Sequence, residues 1–174
     1  VTSDIRMIVM EVLMRQRVFS LLVENEAGVL SRIAGLFSRR GYNIDSLTVG
    51  VTENPSVSRM TVAASGEEDV LDQIEKQLSK LIDVKSIEVL PEGASVCREL
   101  ILCRVKCDAS ERSQVITVAE VFRAKIVDVA PESVMIELTG NEAKLTAFLG
   151  LLDGYEILDL ARTGLTGLKR GVIA

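Results

Sequence analysis

The chain switches between two hydrophobic periods. Val18-Phe19-Ser20-Leu21-Leu22-Val23 is a β-rich run with more apolar positions than a strand covered on one side needs. Asn25-Glu26-Ala27-Gly28 has turn composition. Leu30, Ile33, Ala34 and Phe37 then recur at the i, i+3, i+4, i+7 spacing of one helix face. Arg39-Arg40-Gly41 closes that helix, with cations in the last turn and a glycine suited to a left-handed C′ position. Two strands are predicted next, Ile44–Val51 and Val57–Ala64, around the hairpin composition Glu53-Asn54-Pro55. A second helix over 67–81 turns Val70, Leu71, Ile74, Leu78 and Leu81 inward and carries Glu67, Glu68 and Asp69 in its first turn. Val84–Leu90 closes the unit as a strand.

The order βαββαβ then repeats beyond Pro91-Glu92-Gly93-Ala94. Strands are predicted at Leu100–Cys107, Lys125–Val129, Val134–Leu138 and Ile157–Arg162, and helices at Gln114–Phe122 and Asn141–Leu152. Phe37 and Phe122 take similar places in the two first helices, and Asp45 and Asp128 in the strands that follow. The expectation is an α+β chain of two tandem ferredoxin-like modules, each a four-stranded antiparallel sheet with two helices on one face. Residues 15–90 form the first module, 91–96 the linker and 97–174 the second. Met14-Arg15 reads as a natural start with 1–13 upstream of it, and 1–14 is set apart from the first module as an N-terminal extension.

Composition narrows the function. The 174 residues are 48% hydrophobic and 26% charged, as in ordinary globular proteins. A net charge of −5, 3% aromatics and no Trp argue against nucleic-acid binding. No apolar run approaches the roughly 18–20 residues that span a bilayer, so a soluble, cytoplasmic protein without membrane contact is expected. The chain has no His, which removes Ser-His and Cys-His nucleophile pairs. Cys97, Cys103 and Cys107 fit no common zinc spacing and are expected to be reduced thiols. Thr163-Gly164-Leu165-Thr166-Gly167 lacks the full phosphate-loop pattern and is read as a loop or tail contact. No catalytic residue and no metal ligand are expected.

One constellation has chemistry. A glycine turn at Asn25–Gly28 opens a helix whose first N–H groups lack intrahelical partners and suit a carboxylate. Gly28 permits close approach to the backbone. Asn25 and Asn43 offer donors and acceptors for an α-ammonium and α-carboxylate, and Leu30 and Ile44 an apolar lining. Opposing terms leave about −4 to −8 kcal/mol, a millimolar to micromolar affinity. Taken alone, the same residues also describe a plain turn with an N-cap, and spacing does not decide between the two.

The runs "RVFSLLVENEAGVLSRIAGLFSRRGY", "NIDSLTVG", "SRMTV" and "QIEKQLSKLIDV", with "VCREL", "EVFRAKIVDV" and "LARTGLTGLKRG" farther on, resemble the small regulatory subunit of acetohydroxyacid (acetolactate) synthase. The resemblance spans about residues 15–171. It implies an N-terminal ACT domain, the amino-acid-responsive module, which pairs with a second copy; the second, ACT-like module is expected to make the contacts that activate the catalytic subunit, with contacts from the ACT module left open. It implies that valine, or leucine or isoleucine, binds at that homodimer interface as feedback inhibitor. By motif match Asn25, Gly28, Val29 and Leu30 hold the effector, Asn43 and Ile44 contribute across the interface, and change at Ser31 relieves inhibition. Ala27 departs from the Pro found in many ACT domains. Thiamine diphosphate, Mg²⁺ and FAD are expected on the large catalytic subunit and none on this chain. The alternative is a stand-alone ACT sensor for another amino-acid enzyme, such as an aspartate kinase partner. An RNA-binding module lacks exposed aromatics and basic loops here, and a metal chaperone lacks CxxC.

Overall fold

A computed structural model describes residues 15–171. The proposed extension 1–14 lies outside them. The described chain divides into two compact units, one reaching Val96 and resuming at Leu165, the other Cys97–Gly164.

In the first unit β1 (Arg15–Glu24), α1 (Val29–Arg40), β2 (Ser46–Val51), β3 (Val57–Gly66), α2 (Glu68–Leu78) and β4 (Val84–Val89) realise the predicted order. The sheet order is β2-β3-β1-β4 and every pair is antiparallel. Alternation explains the inner face: Phe19, Leu21 and Val23 of β1 lie beside Met60, Val62 and Ala64 of β3 in one buried cluster. Both helices cover that face, α1 through Val29, Ile33, Leu36 and Phe37, α2 through Leu71, Ile74 and Leu78. The helical spacing had put Leu30 inward; it is 46% exposed, and Leu36 takes its place.

The second unit repeats the plan with β5 (Ser95–Lys106), α3 (Arg112–Val121), β6 (Lys125–Ala130), β7 (Ser133–Gly140), α4 (Glu142–Leu151) and β8 (Ile157–Arg162). Its strands run β6-β7-β5-β8. Ile101, Cys103, Val105, Val115, Ile136, Leu138, Leu145 and Phe148 form its core. Matching backbone hydrogen bonds relate the modules. Glu24 N–H donates to Asp83 O and Lys106 N–H to Glu156 O, while Tyr42 N–H donates to Phe37 O and Ala124 N–H to Ala119 O. The counterpart of Phe37 is therefore Ala119 and not Phe122. Likewise Arg123 matches Gly41, both left-handed with φ 56° and 69°.

Leu165 onward, expected within the second module, packs with the first unit and contains β9 (Thr166–Lys169), which pairs with β5 and packs on β3. Thr48 Oγ1 donates to Leu165 O (2.9 Å), and Leu165 N–H donates to Ser46 Oγ (3.2 Å). Lys169 faces Glu88 at 3.6 Å. The strap lies on the sheet face opposite the helices. There Ser20, Thr61, Ala63 and Leu90 are all at most 5% exposed, so this face of the sheet is covered as well. Ser95 and Val96, expected in the linker, already belong to β5.

Candidate functional site

The turn between β1 and α1 is held open from within. Asn25 N–H donates to Ser56 O, and its side-chain amide donates to Pro55 O at 2.9 Å and accepts from Ser58 Oγ at 3.1 Å. Asn25 thus ties the turn to the neighbouring β2–β3 hairpin. Gly28 is the N-cap, with φ 90°, a conformation that a Cβ disfavours. It has no side chain to cap α1, and the first turn of α1 holds no acidic residue. The N-terminal amides and the positive end of the helix dipole therefore meet no internal carboxylate there.

The proposed effector residues fall into two groups. Asn25, Gly28, Leu30 and Ser31 are exposed around the turn. Val29 is 3% exposed and part of the core, so only its backbone is available to a ligand. Asn43 and Ile44 lie beyond the other end of α1. Asn43 is exposed and donates to Asp45 Oδ1 at 3.1 Å, while Ile44 packs half-buried on the core. A 12-residue helix separates the groups by about 18 Å. One copy does not bring them together.

Sequence reasoning missed a charged pair beside this turn. Arg32 Nε donates to Asp83 Oδ2 at 2.6 Å and Nη2 to Asp83 Oδ1 at 2.9 Å, a bidentate fork. These hydrogen bonds hold the Asp83 carboxyl below the usual carboxylate range and push the Arg32 guanidinium up. The partners are 51 positions apart, so no local pattern announces them.

The second module closes the corresponding turn. Asp108 Oδ1 accepts from Ser110 N–H (2.7 Å) and Glu111 N–H (3.0 Å), while Glu111 Oε2 accepts from Asp108 N–H (3.3 Å). This is the reciprocal pattern of a capping box in the turn leading into α3, and the Ser110 hydroxyl at 2.6 Å, followed by the backbone N–H groups, lowers the Asp108 pKa. The adjoining cleft, about 350 Å³, is lined by Asp108, Glu111, Glu132 and Glu156 with Lys106 as a cation, an environment hostile to an anion. Two modules of one architecture thus differ at the same helix entrance.

Neither Cys103 nor Cys107 is exposed, Cys97 is half-buried, and all three are free thiols. Among the described residues there is no cluster of metal-ligating side chains and no helix long and apolar enough to cross a membrane.

Comparison with known proteins agrees with this architecture. Residues 19–86 match the family model of the AHAS small subunit-like ACT domain, and residues 98–171 that of the small subunit of acetolactate synthase. The chain is 48% identical over 157 residues to the acetolactate synthase isozyme 3 small subunit of Escherichia coli K12, covering 90% of this chain and 96% of that protein. It is 49% identical over 155 residues to a probable acetolactate synthase small subunit of Methanothermobacter thermautotrophicus, covering 88% and 92%. The crystal structure of the acetolactate synthase small subunit from Thermotoga maritima superposes with a TM-score of 0.83 at 37% identity, over 91% of this chain and 99% of that one. The two-module fold and the two family matches, running in order along the chain, agree: the protein belongs to the acetolactate synthase small subunit family.

Proposed function

We propose that this chain is the regulatory subunit of an acetohydroxyacid synthase and that its first module senses a branched-chain amino acid for feedback inhibition. The observation that carries the reading is the contrast between the turns that lead into the two helices: α1 opens directly on Gly28 with no carboxylate engaged there, whereas Asp108 binds the Ser110 and Glu111 N–H groups in the turn before α3. A carboxylate is favoured at the first and repelled at the second. The effector is valine, or leucine or isoleucine, with its carboxylate at the Gly28 turn and its side chain beside Leu30. Asn43 and Ile44 come from a second copy, because α1 keeps them away from the turn of their own chain. The edge strand β2, with Val49 and Val51 exposed, suits pairing between such copies.

The catalytic large subunit carries thiamine diphosphate, Mg²⁺ and FAD in this reading, and the second module makes the contacts that raise its activity. For inhibition, the effector must bind the less active assembly more tightly, with a coupling of about 1–3 kcal/mol. Calorimetry with valine, leucine and isoleucine on the full chain and on Asn43→Ala tests the site. Millimolar-to-micromolar binding that the variant loses is the expected result, and undiminished binding by Asn43→Ala removes Asn43 from it. Reconstitution with the catalytic subunit tests stimulation and its reversal by the same amino acid.

A further inference from the structure

Arg32 stands over the Gly28 turn with part of its guanidinium uncommitted. Nε and Nη2 are both engaged by Asp83. Among the described residues Nη1 has no hydrogen-bond partner, and it lies 3.0 Å from where a Cβ on Gly28 would sit. Asp83 is itself anchored: it is 8% exposed, and its carbonyl accepts the Glu24 N–H at 2.9 Å. One aspartate therefore grips both arms of the turn, the strand through its carbonyl and the helix through its carboxylate. Arg32 is half exposed, and a water-exposed ion pair adds little stability by itself. What the pair does accomplish is geometric. It fixes the guanidinium plane, so that the third nitrogen points across the glycine. By the same backbone match Gln114 stands in the second module where Arg32 stands in the first, and Glu156 where Asp83 stands; Glu156 is engaged by Lys106 Nζ at 2.7 Å, so no arginine fork faces the turn that Asp108 closes.

We propose that Arg32 is a specificity-determining residue that reads the effector's α-carboxylate through Nη1, with Asp83 as its positioning residue. The inference rests on the reading that this turn receives an amino acid. A planar fork is needed for it, because a lysine ammonium cannot hold Asp83 bidentately and present a further donor in a fixed direction.

The test is calorimetry on the full chain with valine and with valinamide, which keeps the side chain and the ammonium but lacks the carboxylate. Wild type, Arg32→Gln and Arg32→Lys are compared. Arg32→Gln is expected to weaken valine binding about ten- to hundredfold, the range of one charge-assisted hydrogen bond. Valinamide binding stays within about twofold, so discrimination between the two ligands collapses, and Arg32→Lys falls between. Two results overturn the proposal: wild-type discrimination retained by Arg32→Gln, or equal loss of both ligands, which marks Arg32 as purely structural. Failure of the wild-type chain to bind valine, leucine or isoleucine overturns the effector reading itself and this inference with it.

Discussion

The strap formed by Leu165 and β9 makes the first unit dependent on residues far along the chain. Ser46→Ala with Thr48→Val removes both side-chain hydrogen bonds to Leu165, the 3.2 Å bond from its N–H and the 2.9 Å bond to its carbonyl. At a net 0.5–1.5 kcal/mol for each neutral bond, the double variant loses about 1–3 kcal/mol. In a unit of roughly 100 residues this lowers Tm by on the order of 5–20 °C. A chain ending at Gly164 is expected to fall at least as far, since it also uncovers Thr61 and Ala63 on β3, now 1% and 0% exposed. Far-UV circular dichroism during heating and urea titration reads both variants, and the transition of the second unit should stay in place. Wild-type melting by both variants would refute the strap's role. The same feature decides how modules are dissected: removing everything after Val96 takes the strap along with the second unit. A fair test of the division of labour therefore replaces Cys97–Gly164 by a short linker.

Three smaller predictions follow from local chemistry. Among the described residues Thr61 Oγ1 is buried without a hydrogen-bond partner, so Thr61→Val is expected to raise stability by about 1 kcal/mol, measurable as a higher urea midpoint. Arg123 holds a left-handed φ of 56° where the first module has a glycine, and Arg123→Gly is expected to gain about 0.5–1 kcal/mol by the same assay. Asp83 has a depressed pKa in the fold. Its contribution is therefore present above its unfolded value of 3.8 and is lost as pH falls through the lower folded value. Asp83→Asn should flatten the acid side of a stability–pH profile, and an unchanged slope would contradict the pairing.

The regular elements were legible because their periods are clean. Phe19, Leu21 and Val23 alternate, and Ile33 and Phe37 lie one helical turn apart, so these elements emerge within a few residues of their bounds. β9 was not, since Thr-Gly-Leu-Lys carries no period and Leu165, just before it, is held by Thr48 from 117 positions away. Matching the modules by residue type paired Phe37 with Phe122, whereas backbone hydrogen bonding follows position and pairs it with Ala119. Gly28 could be recognised because a helix entrance at positive φ demands glycine. Arg32 and Asp83 could not, because each looks like an ordinary surface charge until the fold brings them together.

The capping pattern before α3 sets the two modules apart although they share one architecture. In the second module the chain is its own anion: Asp108 takes the Ser110 and Glu111 N–H groups of the turn, at the high effective concentration of a tethered group. Under the proposed function, sensitivity to an amino acid is confined to the first module, because a tethered competitor keeps the second from acquiring the same input.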